Sequence, residues 1–534
     1  MSLKAFFVRR CWIGHLLAVI ALAVLMFGAP ATADESLSEA EIDALAERIL
    51  DYYPVPGLAL GIVKDGEVVH AKGYGVRELG RRERIDDETL FKIASNSKAF
   101  TAASLAILVD EGKLAWDDKI IDHMPEFRLH DPWVTREFTV IDLLTHRSGL
   151  APFVGDLMLW PEPNNFSRDD IRDNLRYFKP ESGFRSEYAY DNLLYIVAGE
   201  LVPAITGERW ESFVDERIMG ALDADRCFAG TLSKRDMRNV ALPHGEVEGR
   251  LQVIERSRIV AEPNTSVAAG GIRCSLKDMV TWAQVQLNRG VTPDGEVLFS
   301  VEQSEAMWQP YTIRSVSQRD TEVNQTHFKA YGLGWRLADV HGYLEVAHTG
   351  TLSGWNSNMV LIPELNLGVV VLTNGSSGRA REVLANTVVR KYMGEGVTDW
   401  IAWYEAEDAR RAAEAAANGE EATADELPAG QAVAPFASLE AYAGVFEDDW
   451  FGRVDITIKE GVLWFSAEKS PKLTGPMEPW RGDTFIARWT DRSVDGDAYV
   501  TFTGDTPGEF ARIVMRSVDK RSDFEFEDLD LRRR

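Results

Sequence analysis

The sequence predicts an α/β protein with an all-β domain at its C-terminal end. Three features carry that expectation. Strand-like runs at 57–76 and 343–372 bracket a stretch where helical patterns dominate. An Ala- and Glu-rich segment follows. From 436 to 534 the chain then reads almost entirely as short strands.

In chain order, the first element is a leader. Lys4, Arg9 and Arg10 precede an apolar run over 16–27, followed by Pro30 and Ala31-Thr32-Ala33. A basic start, a short apolar core and an Ala-x-Ala exit predict a secretory signal peptide over 1–33, cleaved after Ala33. The run is shorter than the about 20 residues a membrane span requires, so no stable span is expected after cleavage. The Arg9-Arg10 pair lacks the polar residue usual before a twin-arginine signal, and Cys11 leaves with the leader. The mature chain is therefore expected to be periplasmic or secreted.

The unit over 34–395 opens with Ser38 and Glu41, a capping box ahead of a helix with Ile42, Leu45 and Ile49 on one face. Two strands over 57–76 meet at Asp65-Gly66, the composition of a tight hairpin turn. Helical patterns run on to about residue 330. Strands are predicted at 343–348, 358–362 and 368–372, the last two joined through Pro363-Glu-Leu-Asn-Leu, and a helix over about 379–391.

The segment 396–435 is a linker, helical or flexible: eight acidic and two basic residues between Glu405 and Glu426 leave too few large apolar groups for a core. In the unit over 436–534, Val454, Ile456 and Ile458 alternate with Asp455 and Thr457, and Val500 and Phe502 with Thr501 and Thr503. Turn signals recur about every ten residues, which predicts a small antiparallel barrel or sandwich.

Composition narrows the function classes. With 534 residues, 45% of them hydrophobic, the chain buries one large core or two smaller ones. A net charge of −26 argues against nucleic acid as a partner, because phosphate binding needs a surplus of Lys and Arg on some face. The acidity is spread along the chain and reads as solubility. Three cysteines exclude a disulfide-rich scaffold. Cys227 and Cys274 remain after leader removal, and the sequence leaves open whether they pair.

No Gly-x-Ser-x-Gly elbow, His-Glu-x-x-His, P-loop or Cys-x-x-Cys occurs, and none of the nine histidines pairs at metal-ligand spacing. What does occur is Ser95-Asn96-Ser97-Lys98, followed by a helical pattern that stops at Gly112. Ser95 and Lys98 are i and i+3, on one helix face. A serine at a helix N-terminus has backbone N–H groups at hand for an oxyanion, and a lysine buried beside it loses solvation and becomes a base. Ser466–Lys469 and Ser517–Lys520 match the same Ser-x-x-Lys pattern, but in the β-rich region no helix follows them. Two further elements come in order: Tyr190-Asp191-Asn192 opening an apolar helix, and His348-Thr349-Gly350-Thr351 at a strand end.

Taken together these motifs resemble the penicillin-recognising serine hydrolases, the group of class C β-lactamases, DD-peptidases and D-aminopeptidases. Leu143–Leu150, Ala269–Ile272, Tyr331–Trp335 and Val370–Asn374 extend the resemblance over about 40–395. It implies a fold with an antiparallel sheet flanked by helices plus a helical subdomain, and Ser95 at the start of the central helix. It implies that Ser95 is acylated, that Lys98 and Tyr190 share the proton transfers and hold each other's pKa values down, and that Asn192 bonds the substrate amide. Ser95 and Thr351 would supply the oxyanion N–H groups, within a wall formed by Thr349, Gly350 and Thr351. His348 would move a proton or dock a carboxylate or chain terminus, and His146 would brace the loop before Ser148. No metal or organic cofactor is expected, because the Ser, Lys and Tyr set supplies nucleophile and proton transfer.

His348 stands where dedicated class C β-lactamases usually carry lysine, and histidine is the weaker anion clamp. The β unit, starting at Tyr442-Ala443-Gly444-Val445-Phe446, resembles the lipocalin-like domain appended to several peptidases and esterases of the group. Both favour a peptidase acting on small peptides with D- or otherwise unusual residues, linearised cyclic peptides included. A carboxylesterase comes second and a β-lactamase third. A penicillin-binding sensor that acylates without turnover is the non-enzyme alternative. Oligomeric state is open.

Overall fold

A computed structural model describes residues 37–395, 398–417, 434–494, 496–506, 508–519 and 524–534. The predicted leader, residues 396–397 and 418–433 of the Ala/Glu-rich linker, and Lys520 lie outside these residues.

The hairpin at Asp65-Gly66 forms as its composition dictates: both residues sit at positive φ, joining β1 (Gly57–Lys64) to β2 (Glu67–Gly75). The other strands of the central sheet come much later in the chain. They are β3 (Thr312–Arg314), β4 (Lys329–Tyr331), β5 (Arg336–Val340), β6 (Tyr343–Leu352), β7 (Trp355–Ile362) and β8 (Leu367–Thr373). All pairings are antiparallel, in the order β2-β1-β8-β7-β6-β5-β4-β3.

The central strands are apolar on both faces because helices cover both. Along β8, Val369 and Val371 pack with α1 (Glu39–Tyr52), whose capping box at Ser38 forms as predicted. Val370 and Leu372 face the opposite core, with α2 (Ser97–Asp110) and a helix over Leu276–Leu287. There Phe100 of α2 stacks on Trp282, ring centroids 4.3 Å apart. Continuous Val/Leu/Ile runs are what such two-sided burial demands. Short helices between α2 and Leu276 build the subdomain around α3 (Leu193–Thr206), whose residues from Leu193 to Gly199 are all buried. α4 (Gly378–Tyr392) joins α1 on its face of the sheet.

The strand predicted at 343–348 runs on to Leu352, so His348-Thr349-Gly350-Thr351 lies inside a strand and not at its end. β7 pairs with β6 as far as Leu352 opposite Trp355, closing the ladder with a turn at Ser353-Gly354. Cys227 and Cys274 are cross-strand neighbours in a small three-stranded sheet and are joined by a disulfide. The first part of the predicted linker is α5 (Trp400–Ala417), which anchors through Trp400, Ile401 and Tyr404.

The C-terminal domain is a closed, eight-stranded antiparallel barrel from Gly444 to Arg533. Tyr442, Phe446, Phe465, Phe485, Phe502 and Phe526 are buried in its core. It packs on its own chain's helical subdomain: Phe451 meets Phe166, Trp450 meets Phe178 at 5.1 Å between centroids, and Lys469 pairs with Asp170 at 2.6 Å. The barrel's Ser466–Lys469 match is thus part of a domain contact. Among the described residues no helix is long and apolar enough to cross a membrane.

Candidate functional site

The chain leaves the short strand Phe91–Lys92, turns through a 3-10 segment Ala94–Asn96 and enters α2. Ala94 has φ 48°, a left-handed conformation that a Cβ disfavours. Neighbours hold the turn in place. Ile93 N–H donates to Ile272 O, Ser97 Oγ donates to Ala94 O, and Ser357 Oγ donates to Ile93 O. Gly350 of β6 passes so close that a Cβ there would lie 2.4 Å from Ile93 O and 2.8 Å from the Ala94 Cβ. Only glycine lets the strand approach the serine turn this closely.

Ser95 is thereby presented to a cavity of about 630 Å³. Tyr190, Asn192, Asp156, Thr349 and Thr351 share its wall, and Phe524 reaches in from the barrel. Tyr190 Oη donates to Ser95 Oγ at 2.8 Å. Lys98 Nζ is fully buried, 3.3 Å from Ser95 Oγ, and donates at 2.8 Å to both Asn192 Oδ1 and Ala269 O. A neutral amine has two N–H donors and one lone pair. Two oxygens and the Ser95 hydroxyl satisfy it completely.

Burial pushes Lys98 down to about 7, with Asp156 acting in the opposite direction. Burial pushes Tyr190 up to about 12. The expectation that both pKa values fall is therefore corrected for Tyr190: no cation compensates its desolvation fully, so it stays a phenol and a proton donor. At neutral pH the lysine amine is the group able to take the Ser95 proton.

Asn192 lines the cavity, and there its Oδ1 accepts from Lys98 and its Nδ2 donates to Asp156 Oδ2 at 2.8 Å, so the amide ties the lysine to the carboxylate. The side chain that caps α3 is Asp191, which accepts from Leu194 N–H. His348 sits inside β6. Its ring is fully buried, with Nε2 2.9 Å from Tyr331 Oη and Nδ1 2.7 Å from Thr349 O. Burial, with Arg336 and Lys98 nearby, keeps its pKa well below the usual histidine value. With both ring nitrogens engaged, the imidazole braces Tyr331 against β6. His146 accepts from Asp191 N–H at 3.1 Å and packs on the Tyr190 ring at 4.3 Å between centroids, holding the segment that carries Tyr190.

Thr349 Oγ1 accepts from Arg336 at 2.7 Å. The Arg381 guanidinium donates to Gly350 O and Thr351 Oγ1, fixing the strand beside Ser95. Asp156, Arg336, Arg381 and Phe524 are site residues that no motif in the sequence reveals, being single charges or a lone ring in otherwise ordinary segments.

The β-lactamase family model matches residues 42–393, and a domain of unknown function, DUF3471, matches 430–533. The Unguisins hydrolase ungD' of Aspergillus campestris is 30% identical over 378 residues, 68% of this chain and 67% of that one. Protein flp of Staphylococcus aureus (strain COL) is 26% identical over 347 residues, 64% of each chain. The chain thus spans about two thirds of the length of these curated relatives. In fold it is similar to the octameric penicillin-binding protein homologue from Pyrococcus abyssi, with TM-score 0.58, 21% identity, and coverage of 93% of this chain and 100% of that one. It is similar also to a class C β-lactamase from Rhodobacter sphaeroides, with TM-score 0.53, 18% identity, and coverage of 66% and 98%. The family match covers well over half of the chain and contains the whole Ser95, Lys98 and Tyr190 arrangement: the chain belongs to the β-lactamase/transpeptidase-like family of serine hydrolases.

Proposed function

We propose that the protein is an exported serine peptidase that cleaves small or unusual peptides, D-residue-containing or linearised cyclic ones, through an acyl-enzyme on Ser95. The observation that carries the reading is Ser95 Oγ held between a phenol donor and a buried amine with a pKa of about 7. Lys98 takes the Ser95 proton as Oγ attacks the carbonyl carbon. The backbone N–H groups of Ser95 and Thr351 receive the oxyanion. As the tetrahedral intermediate collapses, the leaving amine takes a proton passed through Tyr190, and a water molecule deprotonated by the same network then releases the acyl group. The appended barrel, which narrows the cleft with Phe524, and the relative named as a hydrolase of unguisins support a substrate other than a β-lactam. Export is supported by the leader-like N-terminus and by the Cys227–Cys274 disulfide, a bond that persists in oxidising compartments.

A fluorophosphonate or penicillin adduct located by mass spectrometry tests the site. No adduct on Ser95, or full activity in Ser95→Ala, removes the assignment. A permanent adduct without turnover marks a sensor. Turnover on L- and D-aminoacyl peptides, 4-nitrophenyl esters and nitrocefin then ranks peptidase, esterase and β-lactamase, and fast cleavage of nitrocefin alone overturns the peptidase reading.

A further inference from the structure

We propose that Asp528, in the C-terminal barrel, is a positioning residue for the chemistry at Ser95: it holds the turn over 153–156 and so fixes the Asp156 carboxylate against Asn192 and Lys98. The proposal rests on the acyl-enzyme reading above and gives the barrel a part in it.

The turn that carries Asp156 is strained. Phe153 has φ 59° and Gly155 φ 71°, two left-handed residues within three positions, and such backbone persists only where neighbours over-determine it. A Cβ added at Gly155 would lie 2.6 Å from the Phe178 ring and 2.8 Å from Leu193 Cδ1, at the start of α3. One tie comes from the catalytic side, where Phe153 N–H donates to Tyr190 O at 2.8 Å. The other comes from the barrel: the buried Gly155 N–H donates to Asp528 Oδ2 at 3.0 Å. Asp156 is the next residue. It accepts from Asn192 Nδ2, and Asn192 Oδ1 accepts from Lys98. A continuous path of bonded groups therefore runs from the barrel to the base beside Ser95.

Asp528 is firmly seated. It ends the 3-10 segment Phe526–Asp528, between Phe526 and Leu529 of the barrel core, and its carbonyl accepts from Trp450 Nε1 at 3.4 Å. Trp450 packs on Phe178, and its own carbonyl accepts from Asn174 Nδ2 at 3.0 Å. Asn165 N–H donates to Lys469 O at 2.7 Å, so the barrel also grips the chain beyond the turn. Without the Asp528 carboxylate the Gly155 N–H would be buried and unsatisfied, which favours displacement of the turn.

Position and charge can be told apart by sign. The charges that bear on the Lys98 amine are those of Asp156, Arg336 and Asp191. Burial raises Asp528 to about 6 against the Gly155 N–H, and Glu181, Glu527 and Asp448 add to the rise. Its charge reaches Asp191 and favours the protonated form there. Deleting that charge alone would let Asp191 ionise more readily and raise the Lys98 pKa. Releasing the turn takes the Asp156 carboxylate away and lowers it.

The second-order rate of Ser95 phosphonylation by a neutral fluorophosphonate, measured against pH on the full mature chain, reads the base directly. Asp528→Ala should move the acid limb down by between about 0.5 and 1.5 pH units. Asp528→Asn keeps an acceptor for Gly155 and should return most of that shift. In the Asp156→Asn background no charge is left to position, and Asp528→Ala should add no further shift. Circular dichroism reports the folding of each variant. A limb that stays or moves upward in Asp528→Ala, equal shifts in the Ala and Asn variants, or full additivity with Asp156→Asn overturns the proposal. If Asp528→Ala does not fold, Asp528→Asn alone decides: an unmoved limb supports the proposal and a displaced one overturns it. Absence of a Ser95 adduct in the wild type instead removes the acyl-enzyme reading on which it rests.

Discussion

Replacing Asp156 by asparagine isolates one electrostatic link in the site. Burial drives Lys98 down to about 7 while the Asp156 carboxylate works against that shift. Two 2.8 Å hydrogen bonds, Lys98 to Asn192 and Asn192 to Asp156, separate the charges by one carboxamide. That path puts them roughly 7 Å apart; at an effective dielectric of about 20 their attraction is roughly 2 kcal/mol, between about one and two pH units. The change is nearly isosteric, so the Asp156→Asn variant keeps an oxygen to accept from Asn192 Nδ2 and loses only the charge. Because the neutral amine is the base, activity rises with pH through the Lys98 pKa. The acid limb of kcat/KM on a neutral ester should therefore move from about 7 in the wild type to between about 5 and 6 in Asp156→Asn. A limb that stays in place or moves upward refutes the electrostatic argument. A wild type with no limb near neutrality refutes Lys98 as the base.

Tyr190→Phe deletes the hydroxyl that donates to Ser95 but keeps the ring against His146; kcat should fall by about 10²–10⁴ with the fold intact, checked by stopped-flow acylation and circular dichroism. Lys98→Met should be inactive yet more stable than the wild type at pH about 6. The sign follows from linkage: the folded lysine has its pKa lowered, so between about 7 and its ordinary value the unfolded chain binds more protons and wild-type stability rises with pH. Urea titrations should show the gap between the two proteins closing as pH approaches 10, about the range of an unperturbed lysine. Replacing both Cys227 and Cys274 by alanine opens a loop of sequence separation 47 and should cost about 4 kcal/mol at 25 °C, read from the urea midpoint. Gly350→Ala should abolish Ser95 labelling, since the added Cβ would collide with Ile93 O at 2.4 Å.

Much of the architecture is legible where local chemistry decides it. The Ser38–Glu41 box and the Asp65-Gly66 turn are short-range devices, and both form from neighbouring residues alone. Ser95 and Lys98 are likewise placed on one side of a helix start by spacing, and burial of α2 follows from its apolar run. The two-residue strands at Phe91, Cys227 and Arg273 are too short to show any period, so pairing across long loops decides them. Asp156 and Arg336 gain their importance only from the cavity they face. The roles of His348 and Asn192 are set by burial and by which neighbours take up their polar atoms, and motif order carries no information about either.

Phe524 lies more than four hundred positions along the chain from Ser95, yet the two face each other across one cleft. Part of the cleft wall is thereby written in a stretch of sequence far from the nucleophile and its base. Exchanging the barrel between members of the family that keep an aspartate at position 528 should retune which substrates enter while leaving nucleophile and base untouched, and drift in the 524 region offers a path to new substrates that never passes through an inactive hydrolase.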